Sequence, residues 1–156
     1  MTMKHNPTNH ASHPVACALL PAQLPLIGAQ VRCGFPSPAE DFPLQVFDVI
    51  AHITPHPTAT FTMRVSGDSM QDAGILDGCM IVVDRAITPQ HGHIVVAVVD
   101  GEFTVKQLFH REGRSELHAA NAAFSPIVLQ GLQELQVWGV VTASIVEHLQ
   151  HTRRTK

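Results

Sequence analysis

The sequence is poor in charge, in cysteine and in long apolar runs. Charged residues make up only 15% of its 156 residues and hydrophobic residues 45%, a balance that excludes a disordered chain or a coiled coil. Lys and Arg number 10 against 13 Asp and Glu, whereas a strong nucleic-acid binder typically carries a basic excess. No apolar run reaches the roughly 18 residues of a membrane-spanning helix. The length fits one domain with a short appendage.

Cysteine and histidine usage predicts no metal centre. The three cysteines are widely spaced and form no C-x-x-C pair, which argues against a disulfide framework or zinc ribbon and favours a reducing compartment. The eleven histidines are scattered, and none forms an H-x-x-x-H or H-E-x-x-H ligand pair on a predicted helix. His91 and His93 flank Gly92 in a predicted turn. We interpret them as exposed turn residues, with a metal site as the alternative.

Residues 1–38 differ in composition from the rest of the chain. They hold six of the eleven prolines and no acidic residue, which predicts an extended arm because proline removes backbone donors and disrupts helices. The apolar residues 15–29 suggest a secretory signal as the alternative. Two prolines interrupt that run, and Ile27 lies where a small residue would precede Ala29 in an A-x-A cleavage site. We therefore favour the arm.

The remainder of the chain has the pattern of short strands. Residues 60–65 alternate between apolar and polar side chains, and residues 79–83 and 94–99 are continuous apolar runs. Asp100-Gly101 before the next run, residues 102–108, predicts a hairpin, because both central turn positions need positive φ.

Residues 135–141 and 145–149 supply further strand material, and only residues 45–50 suggest a helix. The predicted fold class is therefore mainly β, with many short strands and few helices.

The segment Val65-Ser-Gly-Asp-Ser-Met70 interrupts a predicted strand with a glycine and two hydroxyls. Gly67 permits a sharp turn that would present Ser69 beside outward-pointing N–H groups, which is the arrangement a nucleophilic serine needs. A plain surface turn has the same composition. The residues alone leave both interpretations open.

A nucleophilic serine needs a base, and no motif selects one of the histidines. Lys106, in the predicted strand 102–107, is the candidate that stands out. A lysine on a strand is usually solvated. To act as a base it must be neutral, which requires burial against apolar neighbours.

The segment Cys33-Gly34-Phe-Pro-Ser-Pro38 lies where the arm joins the domain. Its prolines keep the backbone extended, which is the form that proteases bind along a strand edge. An ordinary linker is the alternative. Cys33 as a catalytic thiol has little support, since only Arg32 is a basic neighbour.

Three segments together resemble the UmuD branch of the LexA/UmuD family of Ser/Lys autopeptidases (peptidase S24). They are Cys33-Gly-Phe-Pro-Ser-Pro-Ala39, Ser66-Gly-Asp-Ser-Met70 and Asp100-Gly-Glu-Phe-Thr-Val-Lys106. Residues 74–78, 82–84, 91–95 and 121–126 also fit, and the resemblance covers about residues 33 to 147. It implies a LexA/signal-peptidase-like β domain with an extended N-terminal arm.

The resemblance also implies the roles of individual residues. Ser69 would attack the carbonyl of Cys33, and neutral Lys106 would take the serine proton and pass it to the leaving amine. The N–H groups of Asp68 and Ser69 would hold the oxyanion. Cleavage would separate Cys33 from Gly34. No cofactor and no metal is implied.

The partners that the resemblance implies are those of SOS mutagenesis in the bacterial cytoplasm. RecA filaments on single-stranded DNA stimulate cleavage in the family. The shortened product, as a homodimer, joins a UmuC-type Y-family DNA polymerase in translesion synthesis. No sequence-specific DNA binding and no membrane association is implied. The expected organisation is an arm (1–33), a linker (34–45), a peptidase-like domain (46–150) and a tail (151–156).

Three other kinds of protein share part of this pattern. A LexA-type repressor needs a DNA-binding domain before the cleavage site, and the residues before Cys33 are interrupted by proline and carry only Lys4 and Arg32 as basic residues. A signal peptidase needs a membrane anchor, for which the sequence has no candidate. A non-catalytic dimeric polymerase-binding module with a vestigial dyad stays open.

Overall fold

The computed structural model describes residues 23–27, 44–111, 113–128 and 135–149. Within these residues the chain forms nine β-strands and one short α-helix, which confirms the predicted mainly-β fold class. The strands are β1 Gln23–Ile27, β2 Leu44–Asp48, β3 Thr60–Arg64, β4 Met80–Asp84, β5 Ile94–Val99, β6 Glu102–Arg111, β7 Arg114–His118, β8 Ile127–Val128 and β9 Gln136–Ile145; the helix α1 is Val49–Ile53, and single 3₁₀ turns lie at Pro57–Ala59 and Gln71–Ala73. No helix in the described ranges is long and apolar enough to cross a membrane.

Seven of these strands form one sheet in the order β3-β4-β9-β5-β6-β7-β8. Every neighbouring pair in it is antiparallel. Strands β1 and β2 form a separate two-stranded antiparallel sheet. Antiparallel neighbours can be joined by short connections, whereas parallel neighbours need long crossovers. A chain with so little helix can therefore still build a wide sheet.

The interior strands β4 and β5 are buried on both faces. Val82, Val83, Val95 and Val96 are each at most 1% exposed. Val83 and Val96 belong to one core cluster, and Val95 belongs to a second. Because side chains alternate between the faces of a strand, the two clusters cover opposite faces of the sheet. This explains why the two runs are continuously apolar instead of alternating.

The predicted alternation of residues 60–65 and the predicted hairpin at Asp100-Gly101 are both confirmed. In β3, Met63 packs against the core while Thr62 and Arg64 are exposed, which is the predicted period of two. Strands β5 and β6 form the predicted hairpin. At its turn Asp100 has φ of 51° and Gly101 has φ of 84°, as a two-residue turn with positive φ at both positions requires.

The predicted helix over residues 45–50 is wrong for most of its length. Residues up to Asp48 belong to β2, which pairs with β1. The helix α1 begins only at Val49, where the Asp48 carboxylate accepts a hydrogen bond from the Ala51 N–H at 2.9 Å. Asp48 is a typical helix N-cap, so the helical signal belongs to the residues that follow it.

The predicted strand over residues 145–149 is also wrong beyond its first residue. Ile145 pairs with Met80, the first residue of β4, and β9 ends there because its neighbour offers no further ladder. Several other expectations lie outside the described residues: the scissile Cys33–Gly34 bond, the tail 151–156, and most of the arm and linker.

Gly139 in β9 provides a test of how tightly the sheet is packed. A Cβ atom at this position would lie 2.7 Å from Val83 Cγ1 and 3.1 Å from the Asp84 carbonyl oxygen. We expect Gly139→Ala to lower the free energy of unfolding by about 1–3 kcal/mol through overpacking. Denaturant unfolding measures this. Gln136→Ala, at an exposed position of β9, should stay within about 0.5 kcal/mol of wild type; equal effects of the two substitutions would contradict the packing argument.

Candidate active site

A sharp turn after β3 carries Ser69. The N–H of Val65 still donates to the Cys79 carbonyl at 2.9 Å, so the chain leaves the sheet only after Val65. Gly67 then has φ of 98°, a conformation that strains any residue with a Cβ atom. Its N–H donates to Asp77 Oδ1 at 2.7 Å. The turn is therefore tied to the loop that precedes β4.

The residue after the serine anchors the turn in the core. Met70 is 2% exposed and belongs to a core cluster. Its carbonyl accepts hydrogen bonds from the N–H groups of Ala73 and Ile75 at 3.1 and 3.2 Å. Ser69 itself is half-buried. Its hydroxyl therefore lies between the packed interior and solvent, with little freedom in its backbone.

Lys106, on β6, reaches the Ser69 hydroxyl. Its side-chain Nζ lies 2.8 Å from Ser69 Oγ and 3.1 Å from the Val105 carbonyl oxygen. The structure thus brings together two of the residues singled out from the sequence. At 2.8 Å a charged amine donates to the hydroxyl, and a neutral amine is placed to accept the hydroxyl proton.

The surroundings of Lys106 disfavour its charge. The residue is only 8% exposed, and burial lowers the pKa of its amine below the ordinary value of 10.5, since desolvation penalises the ammonium form. Among the described residues no carboxylate lies within ion-pair distance of it. Nothing in this part of the chain offsets the desolvation with an opposite charge, so Lys106 has the burial that a lysine base requires.

A cavity of about 290 Å³ opens beside the serine and the lysine. Its lining is mixed: the polar residues include Arg64, Ser66 and Thr104, and the apolar residues are Met63, Val65, Met70, Ile81, Val96, Phe103 and Val105. One edge of β6 borders it. Strand β6 pairs with β5 along 102–107, but with β7 only along 107–111. Within the described residues, 103–106 therefore present an edge without a strand partner, which is a template for an extended peptide.

The backbone between Asp68 and Ser69 is held from two sides. The Asp68 carbonyl accepts from the Asn121 side-chain amide at 3.0 Å and from the Gln71 N–H at 3.2 Å. Within the described part of the chain, the N–H groups of Asp68 and Ser69 donate to no other group. They are available to an incoming oxygen atom.

Sequence reasoning missed the two residues that hold the serine turn in place, Asp77 and Asn121. Both lie in segments that fit the resemblance, residues 74–78 and 121–126, but the sequence pattern assigned neither of them a role. Neither position carries a local signal for its contact, because each partner is distant in sequence.

The histidines flanking Gly92 accept hydrogen bonds from backbone N–H groups. His91 Nδ1 accepts from the N–H of His110 at 3.0 Å, and His93 Nδ1 accepts from the N–H of Gln90 at 3.2 Å. In the described ranges no three His, Cys, Asp or Glu side chains are grouped so that they could hold a metal ion.

Comparison with known proteins gives consistent matches over most of the chain. The model of the family described as Peptidase S24-like matches residues 25–142. Protein MucA of Salmonella typhimurium is 42% identical over 126 residues, covering 80% of this chain and 86% of MucA. Protein SamA of Salmonella typhimurium is 43% identical over 121 residues, covering 78% of this chain and 84% of SamA. The LexA repressor of Syntrophotalea carbinolica is 41% identical over 126 residues, covering 79% of this chain but 59% of the repressor.

The lowered pKa of Lys106 predicts a pH dependence of stability. Between the folded-state pKa and 10.5 the folded state binds fewer protons than the unfolded state, so the free energy of unfolding rises with pH across this window. Lys106→Met lacks this rise. We therefore expect the unfolding free energy of wild type, relative to that of Lys106→Met, to be higher near pH 10 than near pH 7.

Denaturant unfolding at several pH values measures the shift. Ser69→Ala is the matched control, because it retains the buried lysine and should keep the wild-type slope. A Lys106→Met protein with the same pH slope as wild type would contradict the burial of an uncompensated amine.

Proposed function

Because the chain belongs to the peptidase S24-like family, we propose that it is a serine peptidase that cleaves its own Cys33–Gly34 bond. The single observation that carries this proposal is the 2.8 Å contact between the Ser69 hydroxyl and the Lys106 amine, together with the burial that favours a neutral amine. A solvated lysine on a strand would have neither property.

The proposed reaction has two halves. Neutral Lys106 takes the proton of Ser69 as Oγ attacks the carbonyl carbon of Cys33, giving a tetrahedral intermediate. The N–H groups of Asp68 and Ser69 stabilise its oxyanion. The bond to Gly34 then breaks, and the lysine ammonium returns the proton to the leaving amine.

The second half removes the ester that links Ser69 to the Cys33 carbonyl. A water molecule attacks this ester while Lys106 again accepts the proton. The Ser69 hydroxyl is regenerated, and residues 1–33 leave with a new carboxylate. No cofactor takes part in either half.

Extended binding of the scissile segment fits the open edge of β6. Within the described part of the chain, residues 103–106 have a strand partner on one side only, and Pro36 and Pro38 favour an extended conformation after the scissile bond. The cavity beside Ser69 offers room for a side chain of the bound segment. Together these features support a peptide substrate supplied by this chain itself.

The biological role we propose is that of a UmuD-type factor in SOS mutagenesis. Stimulation by RecA filaments on single-stranded DNA would order the scissile segment over the site, since the serine and the lysine act only on a segment that is held beside them. The shortened homodimer would then serve a UmuC-type Y-family DNA polymerase in the bacterial cytoplasm. These partners are the ones that the resemblance of three sequence segments to the family implies.

The intact mass of the purified chain tests the cleavage. We expect wild type to yield a fragment comprising residues 34–156, and Ser69→Ala to stay whole. The rate should rise by up to about tenfold per pH unit until Lys106 is deprotonated, so cleavage is faster near pH 10 than near pH 7. Ser144→Ala, an exposed serine on β9, should cleave as wild type does.

A wild-type chain that stays intact at both pH values is next incubated with RecA, single-stranded DNA and ATP. Persistent absence of the fragment would refute the peptidase and favour the non-catalytic polymerase-binding module. If the protein is only a binding module, Ser69→Ala should support mutagenesis in cells as well as wild type does. If it is an autopeptidase, Ser69→Ala should stay uncleaved and fail to support mutagenesis.

A further inference from the structure

The carbonyl oxygen of Asp68 has one donor from its own turn and one from a remote loop. The local donor is the N–H of Gln71 at 3.2 Å. The remote donor is Nδ2 of Asn121, 53 positions away in the loop after β7, at 3.0 Å. The Asn121 side chain is itself oriented, because its Oδ1 accepts from the N–H of Ala123 at 2.9 Å. With the oxygen of the amide committed, its NH₂ group must face Asp68.

The direction of this carbonyl sets the direction of the next N–H group. The peptide bond between Asp68 and Ser69 is trans, as no described peptide bond is cis. In a planar trans peptide the C=O and N–H groups point in opposite directions. A carbonyl held toward Asn121 therefore directs the Ser69 N–H to the opposite side, where no described group accepts from it.

We propose that Asn121 is a positioning residue that orients the Ser69 N–H for the oxyanion through the Asp68 carbonyl. The inference rests on the proposed function, in which that N–H is an oxyanion donor. Loss of a complete oxyanion donor slows comparable reactions by about 10²–10³-fold. Since the Gln71 N–H still holds the carbonyl, we expect a smaller loss here, about 10- to 100-fold.

The loop itself stays attached to the serine segment without the Asn121 side chain. The N–H of Asp72 donates to the Ala120 carbonyl at 2.9 Å. The N–H of Ala120 lies 3.4 Å from the sulfur of Met70. Both contacts come from the backbone of Ala120, so substitutions at Asn121 leave them available. A loss of rate can thus be separated from a loss of folding.

Two variants isolate the donor. Asn121→Asp keeps an oxygen for the Ala123 N–H but has no donor for Asp68, and it adds a charge. Asn121→Leu removes both hydrogen bonds and adds no charge. The loss they share is the donor to Asp68. Ser125→Ala, an exposed position in the same loop, is the matched control.

Self-cleavage rates across pH and thermal unfolding midpoints are measured for all four proteins. We expect both Asn121 variants to cleave about 10- to 100-fold more slowly than wild type at every pH. The Asn121→Leu profile should keep the wild-type pH midpoint, because the Lys106 environment is unchanged. Unfolding midpoints should lie within about 3 °C of wild type, and Ser125→Ala should match wild type throughout.

Several outcomes would overturn the positioning role. Cleavage by both variants within about twofold of wild type would do so, as would slow cleavage by Asn121→Asp alone, which would trace the effect to the added charge. A lower rate in Asn121→Leu accompanied by a shifted pH midpoint and a lower unfolding midpoint would indicate general loosening of the site. A wild-type protein that fails to cleave even with RecA, single-stranded DNA and ATP refutes the proposed function itself, and this inference falls with it.

Discussion

The contact between the Lys106 amine and the Ser69 hydroxyl joins two segments that are 37 residues apart in sequence. It requires β6 to hold its register against β5 and the serine turn to stay anchored through Met70, which lies in the core. Both requirements are met by the packing of apolar core residues, which are not themselves reactive groups. The two core clusters on opposite faces of the sheet are therefore what fixes a 2.8 Å distance at its edge.

Burial of the lysine would favour the proposed reaction, and it has a cost in stability. The apolar surroundings that lower the pKa of Lys106 also penalise its charged form in the folded protein at neutral pH. Uncompensated groups of this kind are a common feature of functional sites, where stability is exchanged for activity. The wide sheet, with β4 and β5 covered on both faces, supplies the apolar burial that offsets the cost.

The serine turn depends on contacts from several parts of the fold. Asp77 holds the N–H of Gly67 from the loop before β4, and Asn121 holds the carbonyl of Asp68 from the loop after β7. The turn follows β3, at one end of the sheet order, whereas Lys106 comes from β6, nearer the other end. Groups contributed from such distant strands keep a fixed geometry because packed interiors do not deform continuously.

Local sequence signals determined much of this protein. The alternation in β3, the continuous valine runs and the Asp100-Gly101 turn each depend on neighbours in sequence, and the structure has all three. The resemblance of three segments to one peptidase family pointed to Ser69 and Lys106. Only the tertiary structure decided that these two side chains lie in contact, that the lysine is buried, and that Asn121 reaches the serine turn. It also decided where β9 ends and where α1 begins, against the sequence pattern. These features depend on free energy summed over contacts between distant residues, which no local pattern of side chains encodes.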